Sequence, residues 1–431
     1  MSASRTSPPK HPVTVYLDGD PIVAEEGEPI AQALIAADRV ALARSPKLHR
    51  PRGPSCFRGG CDGCLARLDG IPNVMTCLRP AAEGARVETQ NVLGTRTIDL
   101  LQVTDWFFPD GIDHHHLLAG VPGLSPIMQT MARRIAGLGT LPDAARPISR
   151  GARRTTEGDD GVDVVVVGAG PSGIATASVL ARNKQRVVLI DDAVEIGGSA
   201  RALGSERLNA LLAEYPLDGV EVLTRSVAAG IYEGDVLVVG PVLAQRLHPY
   251  SIVLATGAHD GAPLIEGNDL PGVYSARAAA MLAASGVRVG QRVCVIGEGP
   301  FAQAFIDQAT TLSITTTRVS LASVVKLDGS SRVGAVVTRN ESGKETKLRV
   351  DAVVIDMPGA PSFELCEQTG ASVRYVDPRG FVPVAKERPH AAGAKIAENV
   401  WAVGELMGVG FDPALLAHAG QVVAAQVIAS R

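Results

Sequence analysis

The chain contains 431 residues, of which 46% are hydrophobic and 20% are charged, and this composition is typical of folded domains rather than disordered segments. Its length exceeds that of one ordinary hydrophobic core, so two or three domains are predicted. The 41 basic and 45 acidic residues give a formal net charge of -4, which argues against a nucleic-acid footprint or a polybasic membrane patch. Small molecules and other proteins are therefore the predicted partners, with no nucleic acid among them.

The N-terminal segment, residues 1–12, is polar and rich in proline. It lacks the apolar centre of a secretory signal, so a cytoplasmic location is predicted. The longest apolar stretch, residues 162–181, is about as long as a membrane span. Glycine and proline interrupt it at its centre, at Gly168, Gly170 and Pro171. We therefore predict a strand, a turn and a helix here, and no transmembrane segment.

The first domain, residues 11–95, is predicted to be a ferredoxin-like β-grasp domain. Residues 13–16 alternate in polarity, Asp18-Gly19 makes a hairpin turn, and a second short strand leads to a helix over residues 29–38. Glycines in the loop that follows allow the backbone to curl and to point N–H groups at sulfur. The cysteines of this loop and of the next hairpin follow the spacing C-x4-C-x2-C-x12-C, and they are Cys56, Cys61, Cys64 and Cys77.

Two kinds of metal centre fit these four thiolates. A structural zinc site is built from four cysteines with C-x2-C spacing, whereas C-x4-C-x2-C is the spacing of plant-type [2Fe–2S] ferredoxins. The first gap and the preceding β-grasp pattern favour an iron–sulfur cluster over zinc, and [2Fe–2S] over [4Fe–4S]. Cys294 lies in a predicted strand and Cys366 in a predicted helix, and both are expected to be packing residues.

Residues 96–161 are predicted to form a connector. They contain the aromatic residues 106–108, a helical stretch over 126–137 and a polar linker over 150–161. The consecutive histidines 114–116 point in different directions on any strand or loop. A solvated or interface loop is therefore favoured over a metal site for them.

From residue 162 onward the pattern changes to repeated strand–helix units, which predict an α/β doubly wound arrangement. A FAD-binding domain is assigned to residues 162–275 and 375–431, and a reduced second domain of NAD(P)-binding type to residues 276–374. The buried strands of these units are predicted at residues 162–167, 186–190, 251–255, 292–296 and 352–355.

A glycine-rich loop follows the first of these strands and begins a predicted helix, which is the context that the dinucleotide-binding fingerprint requires. The first glycine allows the turn, the second lets the pyrophosphate approach, and the third lets helix and strand pack closely. The acid at the end of the next strand, Asp191, can accept a hydrogen bond from the adenosine ribose. The predicted cofactor-binding residues of this region are Gly168, Gly170, Pro171, Ser172, Gly173, Asp191, Asp192, Gly197 and Gly198.

Two further segments favour FAD over NAD in this first site. Ala255-Thr256-Gly257 ends a strand in a small, tight turn, and Gly404-Glu405 ends another strand with an acid suited to a ribityl hydroxyl. A plain β-turn is the alternative at either place, but both turns in this order favour FAD. The resulting fold is expected to be like that of glutathione and thioredoxin reductases. No Cys-x-x-Cys occurs in the flavin domain, so disulfide reduction is disfavoured.

A second glycine loop, residues 297–302, occupies the usual place of a nicotinamide nucleotide site. The sequence after its helix lacks a second βα unit ending in a ribose-reading acid or a phosphate-reading arginine. Glu298 also adds negative charge beside the expected phosphate position. A relic domain that supports the flavin domain is therefore favoured over NAD(P) binding, and NAD(P) is a doubtful cofactor.

In this order of motifs the chain resembles the α subunit of heterotetrameric sarcosine oxidase, and it is similar to the flavin subunits of hydrogen cyanide synthase, opine oxidase and D-hydroxyproline dehydrogenase. The resemblance covers nearly the whole chain and includes residues 255–260, 269–273 and 404–408. Two departures stand out. The chain stops at Arg431, before any folate-binding domain, so folate-linked chemistry is not expected. All four cluster cysteines are present, as in a fusion of iron–sulfur and FAD subunits.

The resemblance implies a FAD- and [2Fe–2S]-containing subunit that relays electrons in a multi-subunit amine or amino-acid dehydrogenase or oxidase. The substrate, of sarcosine, imino-acid, opine or hydroxyproline type, would be oxidised at a second flavoprotein subunit of a hetero-oligomer, and an electron acceptor would complete the system. Two alternatives stay open: a NAD(P)H-dependent reductase that feeds a partner oxygenase, and a scaffold subunit with a vestigial flavin site. No catalytic acid or base is assigned.

Overall fold

The computed structural model describes residues 3–45, 49–92, 94–100, 126–127, 130, 142, 149–150, 161–386 and 392–430. Most of the predicted connector, including the aromatic residues 106–108, the histidines 114–116 and nearly all of the linker 150–161, lies outside the described residues. The chain divides into two compact units. Unit 1 comprises Met1–Arg146, Pro263–Gly297 and Ile306–Ile355, and unit 2 comprises Pro147–Ala262, Glu298–Phe305 and Asp356–Arg431.

Unit 1 begins with a five-stranded sheet and one helix, Ile30–Ala36, that together form the β-grasp. Asp18 and Gly19 have positive φ angles of 51° and 91°, which form the hairpin turn that the sequence predicts. Alternate residues of the two hairpin strands, such as Val15 and Ile22, are buried under the helix. In sheet order the strands are Asp20–Glu25, Pro12–Leu17, Arg86–Glu88, Leu65–Leu68 and Ile71–Met75.

The rest of unit 1 holds a parallel sheet and a smaller antiparallel one. The two central parallel strands, Ala352–Ile355 and Arg292–Ile296, are valine-rich and largely buried, as expected of strands between layers. The edge strand Thr315–Val319 is polar and partly exposed. The helix Ala276–Ala284 follows the strand Val273–Ser275. In sheet order the parallel strands are Val273–Ser275, Ala352–Ile355, Arg292–Ile296 and Thr315–Val319, and the antiparallel ones are Val324–Gly329, Val333–Arg339 and Glu345–Arg349.

The β-grasp part of unit 1 is joined to this second part by strand pairing and by polar contacts. Ser4–Arg5 pairs antiparallel with Val287–Arg288. An ion pair of 3.1 Å joins Arg332 to Asp38. The two parts therefore share an ordered interface within unit 1.

Unit 2 is built on a six-stranded sheet in which only the last strand runs antiparallel to its neighbour. Two helices, Pro171–Arg182 and Pro413–Ala429, pack against each other on one face of this sheet. The core on that face includes Ile174, Trp401 and Val423. In sheet order the strands are Val220–Leu223, Val187–Ile190, Val162–Val167, Pro249–Leu254, Val400–Val403 and Gly393–Ala397.

Shorter elements complete the described chain. The remaining helices are Ser205–Glu214, Pro300–Thr311 and Glu364–Gln368, and the 3-10 turns are Thr76–Leu78, Gly198–Leu203, Leu321–Ser323 and Gly404–Met407. An antiparallel sheet joins Val227–Tyr232, Asp235–Val239 and Leu243–Leu247, with Ser149–Arg150 parallel at its edge. Two-stranded pairs form between Ala43–Arg44 and Pro51–Arg52, Ala258–His259 and Ala360–Pro361, and Val373–Val376 and Gly380–Pro383. No helix within the described ranges is long and apolar enough to cross a membrane.

Candidate functional site

The loop after the β-grasp helix carries three of the four clustered cysteines, and the following hairpin returns the fourth to them. The hairpin strands are Leu65–Leu68 and Ile71–Met75, and the 3-10 turn Thr76–Leu78 presents Cys77 at their end. The Cys64 carbonyl accepts hydrogen bonds from the Thr76 amide at 3.3 Å and from its hydroxyl at 2.9 Å. These bonds hold the turn of Cys77 against Cys64.

The four thiols lie close enough to interact electrostatically. Cys56 hydrogen-bonds to Cys61, and Cys64 hydrogen-bonds to Cys77. The charge of Cys56 also raises the pKa of Cys77, and the charge of Cys61 tends to raise that of Cys64. Within each hydrogen-bonded pair the shared proton lowers the pKa of one thiol, to about 5 for Cys61, and raises the pKa of its neighbour Cys56. In the second pair the pKa of Cys64 is lowered and that of Cys77 is raised for the same reason.

Backbone N–H groups of the loop point at sulfur. The Arg58 amide donates to Cys56 Sγ at 3.4 Å, the Gly60 amide also approaches Cys56, and the Gly59 amide approaches Cys77. Such donors stabilise the negative charge of thiolates and of bridging sulfide. The loop therefore has the donor pattern that an iron–sulfur cluster needs.

Glycine is required where the cysteine loop folds on itself. A Cβ at Gly63 would collide with the carbonyl of Gly53. Gly59 has a φ of +69°, and a Cβ there would lie 2.8 Å from the Leu78 side chain. Both positions therefore exclude larger residues for a steric reason.

Within the described part of the chain, no three His, Cys, Asp or Glu side chains converge on a point that would hold a single metal ion. That finding concerns a mononuclear site. A [2Fe–2S] cluster contributes its own sulfides and spans a wider set of thiolates than one ion does. The four thiols are therefore candidate ligands of a [2Fe–2S] cluster rather than of one zinc ion.

The first glycine loop of unit 2 lies between the strand Val162–Val167 and the helix Pro171–Arg182. Gly168 has a φ of +104°, and a Cβ there would collide with the Ala255 carbonyl. A Cβ at Gly173 would collide with the Gly168 carbonyl. At Gly170, by contrast, no atom of the described residues lies within 4 Å of the Cβ position. The loop is closed around its first and third glycines and open at its second, where a pyrophosphate would approach.

The acid that follows the second strand is tied to this loop. Asp191 accepts hydrogen bonds from the Ala169 amide at 2.6 Å and from the Ala193 amide at 2.9 Å. Asp192 beside it is exposed. Asp191 therefore lies directly against the glycine loop, at the position from which an acid reads an adenosine ribose.

Gly197 and Gly198 also approach the first loop. The Gly197 amide donates to the Ala169 carbonyl at 2.8 Å. Gly198 has a φ of +50°, and a Cβ there would lie 2.9 Å from the Gly170 Cα. A side chain at Gly198 would thus press on the backbone of Gly170.

The turn Ala255-Thr256-Gly257 joins the glycine loop to a later segment of unit 2. The Ala255 amide donates to the Val167 carbonyl at 2.8 Å. Thr256 Oγ1 donates to the Ser362 carbonyl at 2.8 Å, and the Ser362 amide donates to the Gly257 carbonyl at 3.0 Å. Ser362 was not among the predicted site residues, because its only signal in the sequence is a position after a short strand.

Gly404 and Glu405 lie beside the N-terminus of the helix Pro171–Arg182. Gly404 has a φ of +87°, and a Cβ there would lie 2.6 Å from Ser172 Oγ. The Glu405 side chain is buried, with 7% of the residue exposed. Five segments far apart in the sequence therefore meet around the N-terminus of the helix Pro171–Arg182, where backbone N–H groups and the helix dipole favour an anion.

Gly420, which was not among the predicted site residues, lies in the apolar helix Pro413–Ala429. A Cβ at Gly420 would collide with the Ser172 carbonyl, and its own carbonyl accepts from Thr176 Oγ1 at 3.1 Å. A glycine inside a strongly apolar helix was the available signal for such a close approach.

Cys294 lies in the strand Arg292–Ile296, and Cys366 lies in the helix Glu364–Gln368. Both are fully buried, and burial raises the pKa of each thiol to about 12. A thiol with so high a pKa is inert at neutral pH. This is the environment of a packing residue.

Two family models match the chain. Residues 10–92 match a 2Fe-2S iron-sulfur cluster binding domain, and residues 162–325 match the pyridine nucleotide-disulphide oxidoreductase family. These matches confirm the predicted fold class and both predicted cofactors, FAD and a [2Fe–2S] cluster.

The chain is also similar to curated α subunits of sarcosine oxidase, which confirms the resemblance stated from the sequence. It is 28% identical over 300 residues to the subunit of Rhizobium meliloti (strain 1021), covering 62% of this chain and 30% of that protein. It is 27% identical over 440 residues to the subunit of Corynebacterium sp. (strain P-1), covering 89% of this chain and 41% of that protein. The chain thus spans less than half the length of these relatives.

A solved structure shows the same fold. L-proline dehydrogenase from P. horikoshii matches with a TM-score of 0.71 and 21% identity, covering 99% of this chain and 74% of that chain. At this identity the likeness concerns the fold alone.

Proposed function

We propose that this chain is the electron-relaying subunit of a multi-subunit amine or amino-acid dehydrogenase or oxidase. The observation that carries the proposal is the presence of two redox sites in one chain, a cluster of four interacting thiols and a FAD-type glycine loop. A flavin accepts two electrons together and a [2Fe–2S] cluster passes them singly, so the pair links hydride chemistry to one-electron transfer. The similarity to sarcosine oxidase α subunits supports an amine donor.

The residues of the first glycine loop would hold the diphosphate of FAD. Gly170 leaves the space for the pyrophosphate, and the helix that begins at Pro171 presents its N-terminal N–H groups there. Asp191 would orient the adenosine ribose, and its bonds to the Ala169 and Ala193 amides keep that carboxylate in place. Glu405, buried beside the same helix end, would accept from a ribityl hydroxyl.

The four cysteines would ligate the cluster, and the loop around them would tune its reduction potential. The amides of Arg58, Gly59 and Gly60 lie where they can donate to cysteine sulfur. Such donors lower the energy of the more negative reduced cluster and so raise its reduction potential.

A second subunit is part of the proposal. The α subunit relatives are named as parts of larger enzymes, and no acid or base of this chain is assigned to substrate chemistry. We therefore expect the substrate to be oxidised on a partner flavoprotein subunit in a hetero-oligomer, with this chain passing the electrons to an acceptor. A cytoplasmic location suits this role, because reduced cysteines are kept available for a cluster in a reducing compartment.

Co-expression tests the relay. The chain is purified alone and together with a candidate partner flavoprotein, and each preparation is assayed for reduction of an artificial acceptor by sarcosine, proline and hydroxyproline. Acceptor reduction that needs both subunits supports the proposal. NADH-driven reduction of the acceptor by the chain alone would contradict it and would favour the reductase alternative, which the similarities do not support.

A further inference from the structure

The two glycine loops differ in the residue that follows the neighbouring parallel strand. In the first domain, Val167 pairs with Leu254 in the parallel sheet, and Gly168 and Ala255 are the next residues of the two strands. In the second domain, Ile296 pairs with Ile355, so Gly297 and Asp356 are the next residues there. Asp356 is therefore the structural counterpart of the small, neutral Ala255.

The Asp356 carboxylate lies against the second glycine of its own loop. A Cβ built on Gly299 would be 2.6 Å from Asp356 Oδ2 and 2.9 Å from Oδ1. At the equivalent Gly170 no atom of the described chain lies within 4 Å. The space that is open for a pyrophosphate in the first loop is occupied by a side chain in the second.

The same carboxylate also takes the hydrogen-bonding capacity that a phosphate would use. Asp356 Oδ2 accepts from the Ala302 amide at 2.7 Å. Ala302 is the third residue of the helix Pro300–Thr311, and its N–H is one of the groups that a helix N-terminus leaves without an intrahelical partner. A carboxylate there also satisfies the positive end of the helix dipole.

We propose that Asp356 is an internal anion that excludes NAD(P)H from the second glycine loop. A dinucleotide would have to displace a carboxylate already bound to the helix amide and would face its negative charge at contact distance. The exposed Glu298 adds to that charge. The flavin of this chain would then receive electrons from a source other than a nicotinamide nucleotide in its own second domain.

The test measures binding rather than turnover, so its result does not depend on the relay proposed above. The FAD-loaded protein and its Asp356→Ala variant are titrated calorimetrically with NADH, NADPH and inorganic pyrophosphate. The wild type is expected to show no saturable binding up to roughly 1 mM, and the variant to bind at least one of these probes at least about tenfold more tightly.

Two controls make the result specific. Asp328→Asn removes a surface carboxylate of the strand Val324–Gly329 that pairs with Lys347. This variant is expected to bind the three probes no better than the wild type. Asp356→Asn keeps the size of the side chain and tests charge separately from volume; it is expected to gain less affinity than Asp356→Ala. An unchanged flavin spectrum shows that each variant is folded.

Micromolar binding of NADH or NADPH to the wild type would overturn the proposal. So would an Asp356→Ala variant that keeps its flavin spectrum and gains no affinity for any of the three probes. The relay could fail with its partner subunit while this binding difference persists, and the two proposals are therefore distinguishable.

Discussion

Gly168 and Gly170 are two residues apart, yet the fold uses their missing side chains in different ways. Gly168 has a positive φ and lies against the Ala255 carbonyl, so glycine is needed there for the chain to fold. Gly170 borders open space among the described residues, so we propose that glycine is needed there for the cofactor rather than for the fold. Sequence motifs name both residues but do not separate these two roles.

Substitution by alanine should separate the two roles. Gly168→Ala is expected to lower the free energy of unfolding by about 1–3 kcal/mol, because a strained φ and a backbone collision are introduced together. Gly170→Ala is expected to fold normally and to lose at least about tenfold in FAD affinity. Thermal denaturation of the apoprotein and fluorescence titration with FAD measure the two effects, and a Gly170→Ala variant with wild-type FAD affinity would contradict this division.

The contact of Asp356 with the second glycine loop could not be predicted from the sequence. From the sequence, NAD(P) binding at the second glycine loop was doubtful because of the charge of Glu298 and the absence of a second βα unit. Glu298 is exposed, whereas the carboxylate in contact with the loop comes from Asp356, 57 positions beyond Gly299. Only the strand register brings these residues together, and no local pattern reports it.

At the scale of elements, the predicted helices and strands are close to those of the structure. The β-grasp helix was predicted over residues 29–38 and spans Ile30–Ala36, and the valine-rich strand 162–167 coincides with Val162–Val167. These elements have strong apolar periods or continuous apolar runs. The antiparallel strands of residues 324–349 were not predicted. The two outer strands, Val324–Gly329 and Glu345–Arg349, carry mixed polar residues without a regular alternation.

The contact between the helices Pro171–Arg182 and Pro413–Ala429 predicts that a glycine-to-alanine change will destabilise the protein. Replacing glycine by alanine inside a helix normally stabilises it by about 1 kcal/mol. At Gly420 the added methyl would collide with the Ser172 carbonyl, so Gly420→Ala is expected to lower the melting temperature. Ala425→Ser, on the exposed side of the same helix, is the control and should change it little. A Gly420→Ala protein that melts higher than the wild type would contradict the close packing of these helices.

For the whole molecule, the fold class and both cofactors could be predicted from the sequence, because each depends on a local motif of fixed spacing. The arrangement of unit 1 could not. The β-grasp joins the second part of unit 1 through the ion pair of Arg52 with Asp269, the bond from the Ser275 amide to the Ser55 carbonyl at 2.9 Å, and the pairing of Ser4–Arg5. These contacts join residues more than 200 positions apart, and no spacing rule predicts them.

We propose that one chain carries two redox centres, a flavin in its doubly wound domain and an iron–sulfur cluster on four thiolates. Iron, sulfide and flavin analysis of the purified protein, together with the EPR spectrum after reduction by dithionite, tests it most directly. We predict two irons, two sulfides and one FAD per chain, a [2Fe–2S] EPR signal, and loss of the iron but not of the FAD in Cys64→Ser, since serine is a poor ligand for this cluster. Stoichiometric zinc in place of iron, or a Cys64→Ser protein with the full iron content, would contradict the claim.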